Sequence, residues 1–181
     1  MNKAYAIPHD TTKVNYKTFD YRVFIVDDSY SSRALLENYL KKLPSYREGN
    51  KPVLDIHTFS SGEDCVSCLY LKPDIVVLDH HLNEQDTSAM NGLSVLKQIK
   101  AKRPSTKIIA MSGQDSVIIT SEFFHNGADD YVSKEHSCNT LVEHSVVRLI
   151  HSIEKERKSK FQTFLLVFVL AIFSFLVGYI L

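Results

Sequence analysis

The stretch DIVVLD, residues 74–79, decides the fold of this chain. Its four consecutive apolar residues, three of them β-branched, end at an aspartate. This pattern is typical of a strand that is buried on both faces of a parallel sheet. Similar runs alternate with helix-like stretches from Arg22 to about Lys160, and these runs are RVFIV, VLDIHTF, KIIAMS and DYVS. The alternation predicts an α/β fold with a five-stranded parallel sheet, doubly wound, that carries helices on both faces.

Helix-like stretches lie between these strands. SYSSRALLENYLKKL, residues 29–43, begins with serines typical of helix caps and ends before Pro44. The next three are SGEDCVSCLYL, GLSVLKQIKAKR and SVIITSEFFHNG. A fifth helix, from about Asn139, is predicted by a stripe of apolar residues at spacings of three and four. The members of the stripe are Val142, Val146, Leu149 and Ile153.

The composition indicates one domain of ordinary size with appendages. Among 181 residues, Lys plus Arg and Asp plus Glu both number 21, so no overall positive field favours nucleic acid. Three cysteines are too few for a disulfide framework, and no secretory signal opens the chain, so the domain is predicted to be cytosolic. Cys65 and Cys68 form one CxxC, which leaves a redox or metal role open beside packing in a helix.

Both ends of the chain differ from the central domain, residues 21–153. Residues 1–20 show no sustained periodicity and are predicted to be a flexible segment. Residues 161–181, FQTFLLVFVLAIFSFLVGYIL, carry no charge and match the thickness of a bilayer, so they are predicted to form one C-terminal transmembrane helix. A buried core helix is the alternative. Residues 154–160 form a basic juxtamembrane linker, which places the domain on the cytoplasmic side.

Polar side chains stand at the carboxyl ends of the predicted strands, where ligands collect in a parallel sheet. In chain order they are Asp27, Asp28, Asp79, Ser112 and Lys134. Clustered carboxylates repel one another, and a hard divalent cation such as Mg²⁺ relieves that repulsion. A carboxylate beside such a cation can act as a nucleophile toward a phosphoryl group, whose oxygens an ammonium and a hydroxyl neutralise.

Four segments in this order resemble the receiver domains of two-component response regulators. They are VFIVDDSYSSR, PDIVVLDHHL, IIAMSGQ and GADDYVSKE, and the resemblance that they carry extends over nearly all of the span from about Tyr21 to Ile153. The resemblance implies a flavodoxin-like receiver fold. It also implies that Asp79 accepts a phosphoryl group from a histidine kinase or a phosphotransfer protein, and that the domain signals by a conformational switch.

The same resemblance implies a set of Mg²⁺ ligands. Asp28 would bind the cation directly, and Asp27 would act mainly through water. Asp79 and the backbone carbonyl of His81 would complete the protein ligands.

It also implies how the phosphorylated state is recognised. Ser112 would hydrogen-bond a phosphoryl oxygen, and Lys134 would form an ion pair with the phosphate. Tyr131 would be the switch aromatic, whose ring swings inward as Ser112 moves.

No segment after Lys160 resembles a DNA-binding helix-turn-helix or an effector enzyme. The expectation is therefore a phosphoacceptor, with slow self-dephosphorylation at most, that is anchored by a single span in the inner membrane of a bacterial cell. Its receiver would be cytoplasmic, and its output would pass to an unknown downstream protein. No nucleic acid partner is expected, and homodimer formation is left open.

The segment around the site departs from the family's usual pattern. HHLNEQDTSAMNG, after Asp79, is about five residues longer than the usual loop and has no proline. The side chain of His81 is expected to point outward, although His80 and His81 leave a metal role open, and His81 could instead orient the attacking water in dephosphorylation. Lys134 precedes Glu135, where many receivers have a proline after a cis bond, so a trans bond or a strained loop is expected.

Two other functions are open alternatives. One is a constitutive docking adaptor with a receiver fold, although the complete acidic set argues against it. The other is a Mg²⁺-dependent phosphohydrolase with an aspartyl nucleophile. Such enzymes usually have a second aspartate two positions after the nucleophile, where this chain has His81.

Overall fold

The computed structural model describes residues 20–43, 52–82, 89–113, 117–134 and 138–180, the last helix with its side chains through residue 172 and at residue 175. Strands and helices alternate along these residues. They are β1 (Tyr21–Val26), α1 (Tyr30–Lys41), β2 (Leu54–Phe59), α2 (Gly62–Ser67) with a 3₁₀ turn (Cys68–Leu71), β3 (Ile75–Asp79), α3 (Gly92–Lys102), β4 (Lys107–Ser112), α4 (Val117–His125), β5 (Asp130–Ser133) and α5 (Cys138–Ile180). The predicted flexible segment lies outside the described residues, apart from Asp20.

The five strands form one parallel sheet in the order β2-β1-β3-β4-β5. α1 and α5 cover one face, and α2, α3 and α4 cover the other. The prediction of a five-stranded, doubly wound parallel sheet is therefore confirmed. The register brings the strand ends to within one residue of each other: Asp79, the last residue of β3, pairs with Met111, the last but one of β4, and Ser112 pairs with Ser133. Because the strands end in step, their carboxyl ends form a single edge.

Alternate residues of the central strands pack into two separate cores. In β1, Val23 and Ile25 face α1 and α5, whereas Phe24 and Val26 face α2 and α3, and all four are fully buried. The unbroken apolar run of β3 has the same cause, since both of its faces are covered. Each fully buried aliphatic or aromatic side chain contributes roughly 1.5–3 kcal/mol relative to an exposed one.

Side-chain caps fix where α1 and α3 begin. The Ser29 hydroxyl accepts a hydrogen bond from the Ser32 N–H at the start of α1, as the serine-rich sequence predicts. The Asn91 side chain accepts from the Ser94 N–H at the start of α3 in the same way. Such caps stabilise a helix by about 1 kcal/mol. Both helices follow strands that carry predicted site residues, so the caps also position the chain beside the site.

α5 is one helix that continues without a break from Cys138 to Ile180. Its first part packs the predicted apolar stripe into the core between α1 and the sheet. The buried stripe consists of Val142, Val146, Leu149 and Ile153.

Polar contacts then join α5 to the amino ends of the strands, at the opposite end of the sheet from the predicted site. They link Tyr21 to Glu154 at 2.9 Å, Lys107 to Glu156 at 2.7 Å, and Asp74 to Arg157 at 2.6 Å. The guanidinium of Arg157 also lies over the ring of Tyr21, 5.3 Å from its centroid. The helix is thus held to the domain beyond the end of its apolar stripe.

Beyond Lys160, α5 exposes mostly apolar side chains from Phe161 to Ile172 and at Phe175. In the part of the chain that the structure describes, no helix is both long and apolar enough to cross a membrane. The transmembrane helix predicted at residues 161–181 is therefore not supported.

Candidate functional site

The carboxyl ends of four strands bring the predicted site residues to one edge of the sheet. Asp27 directly follows β1, and its N–H donates to the Phe59 carbonyl at the end of β2, 3.2 Å away. Asp79 ends β3, and Ser112 ends β4. Lys134 directly follows β5, and its N–H donates to the Ser112 carbonyl at 2.7 Å. Strands that end in step therefore assemble residues from distant parts of the sequence.

Three carboxylates form the centre of this site. One oxygen from each of Asp27, Asp28 and Asp79 lies within 4.8 Å of the others. Asp27 is fully buried and Asp79 is 3% exposed, whereas Asp28 faces solvent. Hard oxygen donors of this kind are the ligands that Mg²⁺ takes beside a phosphate. The residues present therefore fit a divalent cation.

Lys134 supplies the opposite charge. Its Nζ lies 2.7 Å from Oδ2 of Asp79 and 2.8 Å from Oδ2 of Asp27. Burial acts to lower the pKa of this lysine, but its hydrogen bonds and charge interactions with the two carboxylates together outweigh burial, so the pKa of Lys134 lies above its ordinary value. The side chain is therefore a permanent cation within reach of any group bound to Asp79.

The carboxyl of Asp79 has a raised pKa. Burial is the largest cause, and the negative charge of Asp27 adds to it. Lys134 and the N–H of His81, which lies 3.2 Å from Oδ1, lower the pKa without cancelling the effect of burial. A second cation beside Asp79 would favour the ionised form that nucleophilic attack requires.

Asp27 is oriented by the serines that follow it. The Ser29 N–H donates to its Oδ1 at 2.9 Å, and the Ser32 hydroxyl donates to its Oδ2 at 2.8 Å. The buried carboxylate thus accepts bonds from the start of α1 as well as from Lys134. These bonds hold the two carboxylate oxygens of Asp27 in a fixed orientation beside Asp79.

Gly92, the first residue of α3, lies against the backbone at the end of β3. Its N–H donates to the His80 carbonyl at 3.2 Å. A Cβ at this position would lie 2.2 Å from the carbonyl oxygen of Asp79 and 2.8 Å from Cα of His80. Only glycine allows this approach of two backbones. The sequence identifies Gly92 as the residue that opens a helix, but the close approach depends on a tertiary contact that no local pattern shows.

The side chain of His81 lies over the site, so the expectation that it points outward is wrong. Its Nε2 is 3.5 Å from Oγ of Ser112, which is fully buried. Its ring packs edge-on against His80, whose ring in turn packs against Phe123 of α4. The N–H of His80 donates to the Met111 carbonyl of β4 at 2.8 Å, so the chain after β3 stays beside β4, the strand that ends at Ser112.

Tyr131, the predicted switch aromatic, is the second residue of β5 and pairs in register with Ala110 of β4. It is half-buried and packs against the core under α2, α3 and α4. It therefore lies on the strand beside Ser112, and its switching role stays a prediction.

Two departures from the usual family pattern fall outside the described residues. They are the central part of the long loop, residues 83–88, and the bond from Lys134 to Glu135.

The CxxC pair contributes to packing. Cys65 is fully buried in the core under α2 and α3, and Cys68 packs at its margin. Burial, with a smaller effect of Cys68, raises the pKa of the Cys65 thiol to about 12, so the reactive thiolate is scarce at neutral pH. Among the described residues, the His, Cys, Asp and Glu side chains placed to hold a metal are those of Asp27, Asp28 and Asp79 alone. Cys65 and Cys68 therefore fit a role in core packing better than a redox or metal-binding role.

Comparisons with known proteins agree with this geometry. The family model described as "Response regulator receiver domain" matches residues 23–145, more than half of the chain. The transcriptional regulatory protein CssR of Bacillus subtilis (strain 168) is 29% identical over 136 residues, which are 75% of this chain and 54% of that protein. The protein-glutamate methylesterase/protein-glutamine glutaminase of Sulfurimonas denitrificans is 31% identical over 121 residues, which are 64% of this chain and 30% of that protein. The chain thus spans about half, or less, of the length of these relatives.

The fold is shared with solved structures as well. The response regulator domain of Thermotoga maritima CheB is 26% identical, with a TM-score of 0.56, over 73% of this chain and 94% of that domain. Sequence and fold therefore lead to the same family.

Proposed function

The chain belongs to the response regulator receiver domain family of two-component signalling, and from this premise we propose that Asp79 accepts a phosphoryl group from a histidine kinase or a phosphotransfer protein. One observation carries the proposal. The Lys134 ammonium contacts the buried carboxylates of Asp79 and Asp27 at 2.7 and 2.8 Å. A permanent cation, a nucleophilic carboxylate and additional oxygen ligands at one strand edge are the groups that phosphoryl transfer requires.

In the transfer, a carboxylate oxygen of Asp79 forms a bond to phosphorus. The phosphorus–nitrogen bond of the donor's phosphohistidine breaks, and the imidazole leaves with the electron pair and takes up a proton. Lys134 pairs with a phosphoryl oxygen, and the Ser112 hydroxyl donates a hydrogen bond to another.

Asp27, Asp28, Asp79 and the backbone carbonyl of His81 are the proposed protein ligands of Mg²⁺. When bound, the cation neutralises charge that develops on the phosphoryl oxygens. Asp28 faces solvent, and it would hold the cation directly. Asp27 keeps its bonds to Ser29 and Ser32 and contributes mainly through water.

Phosphorylation is proposed to switch the domain through two residues beside Asp79. Ser112 moves to bond the phosphoryl group, which withdraws its hydroxyl from its position 3.5 Å from the His81 ring. Tyr131, half-buried on the neighbouring strand, then turns inward. The signal passes to a downstream protein, and a second copy of the chain is one candidate.

The two alternatives make different predictions for the same chemistry. A docking adaptor would take up no phosphoryl group. A phosphohydrolase would turn over phosphate esters many times, but the position two residues after Asp79 holds His81, which contacts Ser112. One relative carries the name of a methylesterase, yet this chain matches only 30% of that protein. We therefore expect the receiver, residues 21–153, to act as a phosphoacceptor with slow self-dephosphorylation.

The test is to incubate the full chain in neutral detergent with a small phosphoryl donor and Mg²⁺, and to measure its intact mass. We expect a gain of one phosphoryl group that requires Mg²⁺ and is absent in Asp79→Asn. Asp64→Asn, on α2 and outside the site, is the matched control and should be phosphorylated normally. No adduct with any donor would favour the adaptor, and multiple turnover of phosphate esters would favour the hydrolase.

We also propose that residues 161–181 hold the receiver at a membrane, the bacterial inner membrane, with the domain on the cytoplasmic side. The supporting observation is the exposure of large apolar side chains on α5 beyond Lys160, such as Phe161 at 66% and Phe164 at 67%. Exposing an apolar surface of this size to water is unfavourable, and insertion into a lipid bilayer would remove it from water. The basic residues before it favour the cytoplasmic orientation.

Fractionation without detergent tests this placement. The full chain should sediment with membranes and resist extraction with alkaline carbonate, whereas a chain shortened to residues 1–160 should stay in the supernatant. Recovery of the full chain in the supernatant would contradict membrane placement and leave the phosphorylation proposal untouched.

A further inference from the structure

A cavity of about 210 Å³ lies at the amino ends of β3 and β4, at the opposite end of the sheet from Asp79. It is bounded by the 3₁₀ turn before β3, the end of α3 and the part of α5 that precedes Phe161. Six of its lining side chains are charged, and they are Lys72, Asp74, Arg103, Glu156, Arg157 and Lys160. Four cations therefore face two carboxylates.

The two carboxylates of the cavity are already engaged. Asp74 accepts a hydrogen bond from the Arg22 N–H at 2.8 Å and pairs with Arg157 at 2.6 Å. Glu156 pairs with Lys107 at 2.7 Å, and the pKa of Lys107 is raised, chiefly by this hydrogen bond. Because both carboxylates already have partners, they neutralise little of the positive charge on the remaining cations of the cavity.

Lys72, Arg103 and Lys160 form no ion pair with any described residue. They come from three separate parts of the fold, since Lys72 follows the 3₁₀ turn, Arg103 follows α3 and Lys160 lies in α5. Three unpaired cations around one cavity create a positive potential that favours an anion.

The backbone at Lys72 adds a second observation. Its φ of 60° and ψ of 64° place it in the left-handed region, and it is the one non-glycine residue with positive φ among those described. A side chain in this region costs about 1–2 kcal/mol relative to glycine. The chain thus carries an ammonium at the cavity in spite of a backbone that favours glycine.

We propose that this cavity binds a phosphate group through Lys72, Arg103 and Lys160. The source is either free inorganic phosphate or the phosphate of an anionic lipid headgroup. The lipid source rests on the membrane placement proposed above, because Lys160 directly precedes the exposed apolar residues of α5 and the cavity would lie at headgroup level. Free phosphate requires no membrane. In both cases the bound group joins α5 to the turns before β3 and after α3, and so strengthens the attachment of the helix.

The experiment uses the full chain in neutral detergent, without Mg²⁺ and without a phosphoryl donor, so that it is independent of Asp79. Inorganic phosphate and dihexanoyl phosphatidylglycerol are titrated separately, and dihexanoyl phosphatidylcholine serves as the net-neutral lipid control. Binding is followed by the NMR amide signals of Lys72, Asp74 and Arg103. Lys72→Gly removes the ammonium and relaxes the backbone, which makes it a variant that should fold normally. Arg103→Gln is the second variant, and Lys97→Gln, an exposed lysine of α3, is the matched charge control.

We expect at least one probe to shift these signals in a saturable manner. Lys72→Gly and Arg103→Gln should each weaken binding about tenfold, as expected for the loss of one charged hydrogen bond, while Lys97→Gln binds like the wild type. Binding of inorganic phosphate identifies a free-phosphate site, and binding of phosphatidylglycerol alone identifies a headgroup site. Equal weakening by Lys97→Gln would reveal unspecific attraction and overturn the proposal, as would the absence of a response to both probes.

Discussion

Replacing Gly92 with alanine tests whether the approach of α3 to the end of β3 holds Asp79 in position. The added Cβ would lie 2.2 Å from the Asp79 carbonyl oxygen and 2.8 Å from Cα of His80. A carbon and a carbonyl oxygen normally stay about 3.3 Å apart or more, so α3 and the strand end must separate by about 1 Å. Both atoms belong to backbone, and neither can move aside by changing a rotamer.

Two effects of this substitution compete. Alanine restricts the unfolded chain more than glycine does, which stabilises a fold by about 0.4–1 kcal/mol, whereas overpacking of a dense region costs about 1–3 kcal/mol. Because the clash is with two backbone atoms, we expect overpacking to prevail and the free energy of unfolding to fall. A displacement of about 1 Å near reacting groups can slow a reaction by about 10²-fold, so phosphorylation should slow by about that factor.

The assay combines urea denaturation with the rate of phosphoryl uptake from a small donor. Gly113→Ala is the matched control, because a Cβ at Gly113 meets no atom within 4 Å and should leave both quantities close to those of the wild type. If Gly92→Ala behaves like Gly113→Ala, the close approach does not position Asp79 and the reasoning is refuted.

Three further predictions concern other residues of the domain. Lys134→Ala removes the cation between Asp27 and Asp79 and should slow phosphoryl transfer by about 10²–10³-fold, the usual effect of losing one electrostatic donor, measured by intact mass over time; unchanged rates would contradict its role. If the ring of His81 orients the attacking water, His81→Ala should lengthen the lifetime of the phosphorylated form about 10²-fold, the lower end of the usual range of acid–base effects, and equal dephosphorylation rates would contradict that hypothesis. Cys65, whose raised pKa of about 12 keeps the thiol protonated until the pH approaches that value, should resist iodoacetamide at pH 8 in the folded protein and react in urea. Labelling is located by peptide mass, because Cys68 and Cys138 are only half-buried, and rapid native labelling at Cys65 would refute its burial.

The strand ends could be predicted from the sequence because the relevant rules are local. A run such as IVVLD predicts a strand covered on both faces, and in a parallel sheet the residue that ends it lies at the shared carboxyl edge. Asp27, Asp79, Ser112 and Lys134 each end or directly follow such a run, so their assembly follows from topology alone.

Contacts that depend on the exact path of loops could not be predicted in this way. The ring of His81 lies beside Ser112 of β4, and the residue before it bonds the Met111 carbonyl of the same strand. Nothing in the sequence near His81 encodes a contact with a residue that lies 31 positions further on. The same holds for the pairing of Asp74 with Arg157, which joins the amino end of β3 to a distant turn of α5.

The continuity of α5 has a mechanical consequence. The helix contains 43 residues, and among its described side chains the last ion pair with the domain is that of Arg157 with Asp74. The remaining part, to Ile180, measures about 35 Å at about 1.5 Å per residue. It can therefore act as a lever arm, in which a tilt of about 10° at the attachment displaces the far end by about 6 Å. A small rearrangement in the receiver would be amplified geometrically along a rigid rod, without a hinge to absorb it.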